Sequence, residues 1–166
     1  QAALGARGDL GPQPALDLRS TPSIRALLGR PDLADIVGRG TPTPDHVIRI
    51  KPFPAIVAAD ADDAAIAAAL DAYADRYRSY FARNEPASAE RKTMLDLLPR
   101  AVLVPGEGIF GLGRDDKAAR IVGDLWEQGA RIMLAAEAIG RYAPIAEAEL
   151  FEMEYWSLEQ AKLRKA

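Results

Sequence analysis

Cysteine is absent from the 166 residues, histidine occurs once, as His46, and no apolar run approaches the length of a membrane span. The first absence excludes disulfide frameworks and thiolate chemistry. The second leaves no set of imidazoles on which to build a catalytic zinc site. The third leaves no transmembrane candidate, since roughly 20 apolar residues are needed to cross a bilayer, and no signal-peptide pattern opens the chain. Positive charge is also scarce: 21 Lys and Arg stand against 24 Asp and Glu, and a net charge of −3 argues against an extended nucleic-acid surface. The chain opens at Gln1 instead of methionine, as an excised or processed piece would. What it does have is hydrophobic content, at 49% enough for the core of about one domain.

The most strongly patterned stretch runs from Pro99 to Tyr142. Ala101 to Val104 is an apolar run expected to form a buried strand, and Gly106 to Gly113 alternates as a second. A long helix is expected from Lys117 to about Gly140, with Ala118, Ile121, Val122, Leu125, Ile132, Met133, Ala136 and Ile139 as its apolar face. Asp115 or Asp116 is placed to cap its start, and Gly140 to supply a left-handed stop.

Upstream, residues 1–20 carry scattered glycine and proline and read as a linker or arm. Thr21 and Pro22 open a short helix through Leu28, and Pro31 to Val37 reads likewise. With so few apolar residues these helices must lie as lids on a larger surface. Val47 to Lys51 alternates as a strand, Pro52 and Pro54 bar it from a central ladder position, and Ile56 and Val57 resume it. The acidic turn at Asp60 to Asp63 suits the start of a helix running to about Arg83. Its stripe of Ile66, Leu70, Tyr73, Tyr77, Tyr80 and Phe81 is a sugar or base platform or, more commonly for such spacing, core. Residues 84–98 read as a polar loop ending in an apolar patch at Met94, Leu95, Leu97 and Leu98.

Glu147, Glu149, Glu152 and Glu154 read as a solvated helix face, because nothing in their spacing gives two carboxylates different environments for acid and base work. Ser157 and Gln160 then form a capping box for a closing helix whose Lys162, Arg164 and Lys165 complement its dipole.

Gly106, Gly108 and Gly111 spell GxGxxG after a strand, the pattern that in a Rossmann unit sets a pyrophosphate on a helix N-terminus. Here Ile109, Phe110 and Leu112 continue an alternation and the helix starts only near Asp116, so a hairpin is expected in place of a dinucleotide site. His46 stands with Asp45, Arg49 and Lys51. Arg49 and Lys51 can hold a phosphate with the imidazole as proton carrier, or His46 can cap a strand whose cations face solvent.

The order strand, hairpin, strand, long helix, with Gly108, Ile109, Phe110 and Gly113 in place, resembles the C-terminal core of the class II, zinc-dependent aldolase and adducin-like fold. The phrases TPDHVIRIKPFP at 43–54, VLVPGEGIFGLG at 102–113 and ELFEMEYWSLEQAKL at 149–163 resemble proteins that fuse a class II aldolase to a short-chain dehydrogenase and are associated with rhamnulose-1-phosphate breakdown. The resemblance implies an α/β fold, a three-layer α/β/α domain with a mixed, mostly antiparallel sheet over residues 21–166. It implies a degenerate module between a true aldolase and a dehydrogenase, in a cytoplasmic homo-oligomer whose zinc and NAD are held by the neighbouring modules and not by this chain. The family's metal-binding histidine falls on Glu107, which is therefore the candidate metal ligand. His46 and Lys51 are the candidate catalytic residues if the module completes a shared aldolase site. The other readings are a non-catalytic scaffold and an adducin-like interaction domain.

Overall fold

The computed structural model describes residues 10, 11 and 13–157. In chain order the elements are β1 (Ala15–Arg19), α1 (Pro22–Leu28), α2 (Leu33–Gly38), α3 (Pro44–Ile50), β2 (Ala55–Ile56), α4 (Asp63–Asn84), a 3-10 turn (Glu85–Ala87), β3 (Ala101–Val104), β4 (Gly108–Gly113), α5 (Asp116–Ile139) and α6 (Glu147–Glu154). The strands form one mixed sheet in the order β1-β4-β3-β2. Its β1/β4 and β3/β4 pairings are antiparallel and β2/β3 is parallel.

Alternation along the central strands sets the layers, because successive side chains leave a strand on opposite faces. Ala101, Leu103 and Ile109 meet Ile24 and Leu27 of α1 and Trp126 and Met133 of α5. Val102, Phe110 and Leu112 meet Ile66 and Leu70 of α4 on the other side. Ile24, Leu27, Leu28, Leu33, Ile36 and Val37 are all buried in the core on the α5 side, so the two short helices are the lids their sequence requires. The tyrosine stripe of α4 is core as well, with Tyr73, Tyr77 and Tyr80 buried against Phe53 and Phe151. Asp62 and Asp115 cap α4 and α5 by accepting from the amides of Ala65 and Ala118, both at 2.8 Å.

Helix α5 is rotated from the expected face. It buries Ala119, Val122, Gly123, Trp126, Gly129, Ala130 and Met133, while Ile139 is 91% exposed. The cause is the glycines beneath it. A Cβ at Gly111 would stand 2.6 Å from the Ala119 carbonyl oxygen, and one at Gly113 would stand 2.3 Å from the Ala119 nitrogen. Without those side chains the helix backbone lies directly on β4, and its small residues, which a hydrophobic pattern ignores, form the buried stripe. Gly140 is also not a left-handed stop, since its φ of 175° is extended backbone.

Two further stretches differ from expectation. Val47 to Ile50 belongs to α3, with Lys51 just past its end, Pro44 in its first turn and His46, Val47 and Ile50 buried at helical spacing. The alternation of Ile48 and Ile50 is incidental to that face. Part of the stretch read as a linker or arm is β1, paired residue by residue with β4 from Ala15 opposite Gly113 to Arg19 opposite Ile109. Asp17 and Arg19 point toward α5, where Arg19 reaches Asp124 at 2.9 Å. The capping box of Ser157 and Gln160 and the basic residues 162, 164 and 165 lie outside the described residues, apart from Ser157 itself. No helix among the described residues is long and apolar enough to cross a membrane.

The β3–β4 turn closes with the Glu107 amide donating to the Val104 carbonyl at 3.0 Å, and Gly106 adopts a φ of 92° with open space where a Cβ would go. Gly106→Ala is therefore expected to cost about 1–2 kcal/mol through backbone strain alone. A lowered urea midpoint at unchanged slope is the expected reading. An unchanged midpoint would mean the turn adopts a right-handed form at no cost.

Candidate functional site

The densest polar chemistry lies inside the molecule, between the end of α3, the loop before β3, α4 and α6. Helix α3 stops at Lys51, whose φ of 60° is the one positive value outside glycine among the described residues. Pro52 follows, and proline disfavours helical backbone in the residue before it. That turn drives the Lys51 side chain inward to 3% exposure. Its Nζ donates to the Asp96 carbonyl, stands 3.7 Å from Asp96 Oδ1 and lies 4.1 Å from the centre of the Tyr77 ring. Arg100 forks onto the same carboxylate, with Nη1 3.0 Å from Oδ1 and Nη2 bonded to Oδ2.

Across the Tyr77 ring lies Glu154, 2% exposed. The Tyr77 hydroxyl donates to Glu154 Oε1 at 2.7 Å and meets the Tyr155 hydroxyl at 2.8 Å. Since the one Tyr77 proton goes to the carboxylate, Tyr155 is the donor in the second contact. The Leu95 amide in turn donates to the Tyr155 hydroxyl at 3.3 Å. Glu154 Oε2 and the hydroxyls of Tyr73 and Tyr80 are buried without a close hydrogen bond, although the Tyr80 hydroxyl still reaches the Glu154 carboxylate as a long, weak donor.

Burial governs the ionisation here, because charge is costly away from water. It lowers Lys51 to about 7, aided by the neighbouring Arg100 and opposed by Asp96 and Glu154. It raises Glu154 to about 7 against the Tyr77 hydrogen bond and the Lys51 charge. Asp96 is the exception: burial pushes it up, but Arg100 and Lys51 together hold it below the usual carboxylate range.

The three candidates named from sequence occupy three different surroundings. Lys51 belongs to the buried cluster. His46 lies in the first turn of α3, which packs on α5, and is no strand cap. Its Nδ1 is 2.8 Å from the Thr43 hydroxyl, and its buried Nε2 lies near the Leu125 backbone without closing a hydrogen bond. Burial lowers the His46 pKa, with Asp45 opposing it. Glu107 is exposed in the β3–β4 turn. Arg49 and Lys51, read together as a phosphate clamp, diverge: Arg49 faces outward from α3. Among the described residues no three His, Asp or Glu side chains are grouped as metal ligands. The GxGxxG glycines serve the turn and the close packing of β4, with a Cβ at Gly108 falling 2.5 Å from the Arg19 carbonyl oxygen.

Sequence reasoning missed Asp96, Arg100 and Glu154. Two of them carry a signal in hindsight. Glu154 lies four residues after Leu150 and three after Phe151, on the buried face of α6, where Glu147, Glu149 and Glu152 are solvated as expected. Asp96 interrupts the apolar patch of Leu95, Leu97 and Leu98.

Residues 3–163 match the family described as aldolase class II, second domain, and the chain belongs to that family. The uncharacterized oxidoreductase YuxG of Bacillus subtilis (strain 168) is similar at 28% identity over 134 residues, covering 76% of this chain. The chain spans only 19% of that relative's length. Among solved structures, L-fuculose 1-phosphate aldolase from Glaciozyma antarctica PI12 is similar at 15% identity and a TM-score of 0.46, over 81% of this chain and 40% of that one.

Proposed function

We propose that this chain is a non-catalytic scaffold and docking domain of a larger cytoplasmic protein that joins a class II aldolase module to a nicotinamide-dependent dehydrogenase, acting in sugar-phosphate breakdown of the rhamnulose-1-phosphate kind. The observation that carries this reading is the dispersal of the reactive candidates. Lys51 is spent on Asp96, His46 is enclosed against α5, and Glu107 stands alone in a turn. A relative named as an oxidoreductase, of which the chain covers only 19%, supports a larger parent, to whose other modules this reading assigns zinc and NAD. Docking draws support from the sheet face at β1, where Leu16 and Leu18 are 38% and 53% exposed beside Phe110. Such a strip favours association with a neighbouring module or a second copy.

The shared-site alternative, with His46, Lys51 and Glu107 completing a metal-dependent aldolase centre, has one observation in its favour, the unpartnered Nε2 of His46. One assay separates the two. With zinc, cobalt or manganese supplied, the isolated chain is expected to show no cleavage of rhamnulose 1-phosphate above background, and His46→Ala in the full-length protein to leave turnover unchanged. A turnover loss in that variant, at unchanged folding and assembly, would establish the shared site instead.

A further inference from the structure

The alternation of β1 is the reverse of that expected at a sheet margin. Its exposed residues are the apolar Leu16 and Leu18, while the charged Asp17 and Arg19 are half-buried on the α5 side. Arg19 is held there by Asp17 at 2.5 Å and Asp124 at 2.9 Å. Edge strands are ordinarily protected by outward charges, proline or a bulge, because their free N–H and C=O groups template further pairing. Among the described residues β1 pairs with β4 alone, in unbroken register over its five residues, and its other side is open.

The exposed strip is continuous with an apolar cleft. Leu16, Ile66, Val102, Phe110 and Leu112 line a hollow of about 180 Å³ between β1 and the start of α4. Helix α4 packs on β2 at the far margin of the sheet and leaves the β1 side of this face uncovered.

We infer, building on the docking role proposed above, that a second copy of this chain occupies the margin, its β1 pairing antiparallel with the first across a two-fold axis at Leu18. Residues directly opposite in such a pair share a face, and like charges there are destabilising. With the axis at Leu18, Asp17 stands opposite Arg19 of the second copy, Arg19 stands opposite its Asp17, and the two Leu18 side chains meet on the apolar face. An axis at Asp17 or at Arg19 sets like charges together. One at Ala15 or Leu16 brings Pro14, which has no N–H, into the ladder. The strand is therefore complementary to itself in a single register, and a two-fold contact requires that self-complementarity. The two sheets then run on as one.

The test is oxidative cross-linking of the full-length protein, with the native protein as background. Directly opposite Cβ atoms lie about 4.5–5.5 Å apart, close to disulfide reach, and diagonal ones about 7–8 Å apart. Leu18→Cys is therefore expected to yield covalent dimer at least about fivefold above Asp17→Cys, whose two sulfurs are diagonal neighbours. Matching circular dichroism and urea midpoints serve as the folding check. No cross-link above the native background, or equal yields from both variants, would overturn the pairing. Leu18→Lys, which sets two charges together on the strip, is expected to lower the mass of the assembly in sedimentation. If the cross-link is absent while Leu18→Lys opens another module of the protein to limited proteolysis, the second copy falls and docking stands. If Leu18→Lys alters neither assembly nor proteolysis, both fall.

Discussion

Asp96→Ala is expected to remove about 3–5 kcal/mol of folding free energy, the cost of leaving a buried charge without its partner. Asp96 is the single anion between two inward cations. Its carboxylate takes both arms of the Arg100 fork and stands 3.7 Å from Lys51 Nζ. It also accepts from the Leu98 amide at 3.0 Å, which holds the loop before β3 in place. Truncation strands two cations and frees that amide. Part of the penalty has a signature that a mere packing loss lacks. Lys51 is already lowered to about 7, first by burial, and losing Asp96 lowers it further. The penalty should therefore be larger near pH 6, where Lys51 must shed or bury a proton, than near pH 9, where it is largely neutral in both proteins. Urea unfolding of both proteins at the two pH values measures this. A loss below about 1 kcal/mol, within the range of an exposed pair, would mean that water reaches the cluster and replaces the carboxylate.

The same cluster explains how the sequence was legible in some parts and closed in others. The β3–β4 hairpin, the long α5 and the lid helices declare themselves because each rests on local periodicity, capping residues or glycine and proline placement. Helix α3 did not, since seven residues with isoleucines two apart satisfy a strand pattern and a helix pattern alike. Its N-terminal proline was the better guide. The rotation of α5 was hidden because Gly111 and Gly113 act on a helix that follows them in sequence and only meets them in space. Site residues suffered most. Lys51 stands beside His46 in the sequence, yet its partners, Asp96 and Glu154, lie 45 and 103 positions further along the chain, in stretches whose local pattern is that of a polar loop and a solvated face. A charged residue at an apolar helical position, as Glu154 is, was the available warning.

Glu154→Gln is expected to become more stable relative to the native protein as pH rises, by about 2–3 kcal/mol between about pH 5 and about pH 8. Glu154 has its pKa raised by burial from 4.5 to about 7. A carboxyl raised in this way contributes stability that is fully present below about 4.5 and is lost as pH climbs through about 7. Lys51 runs the other way: lowered from 10.5 to about 7, it contributes stability present above 10.5 that is lost as pH falls through about 7. The two losses overlap near neutrality, so the cluster supports the fold least around pH 7. Glutamine removes the carboxyl's share alone. Its amide oxygen still accepts from Tyr77, and its nitrogen, at the position of Oε2, has the neighbouring Tyr80 hydroxyl as an acceptor. The difference between the two urea midpoints should accordingly widen from acid to neutral pH and then level off. Lys51→Met supplies the complementary curve, in which the alkaline rise disappears and the acid limb remains. Parallel curves for native protein and Glu154→Gln across this range would show that Glu154 ionises in the folded state as it does in water, and that solvent reaches its carboxyl.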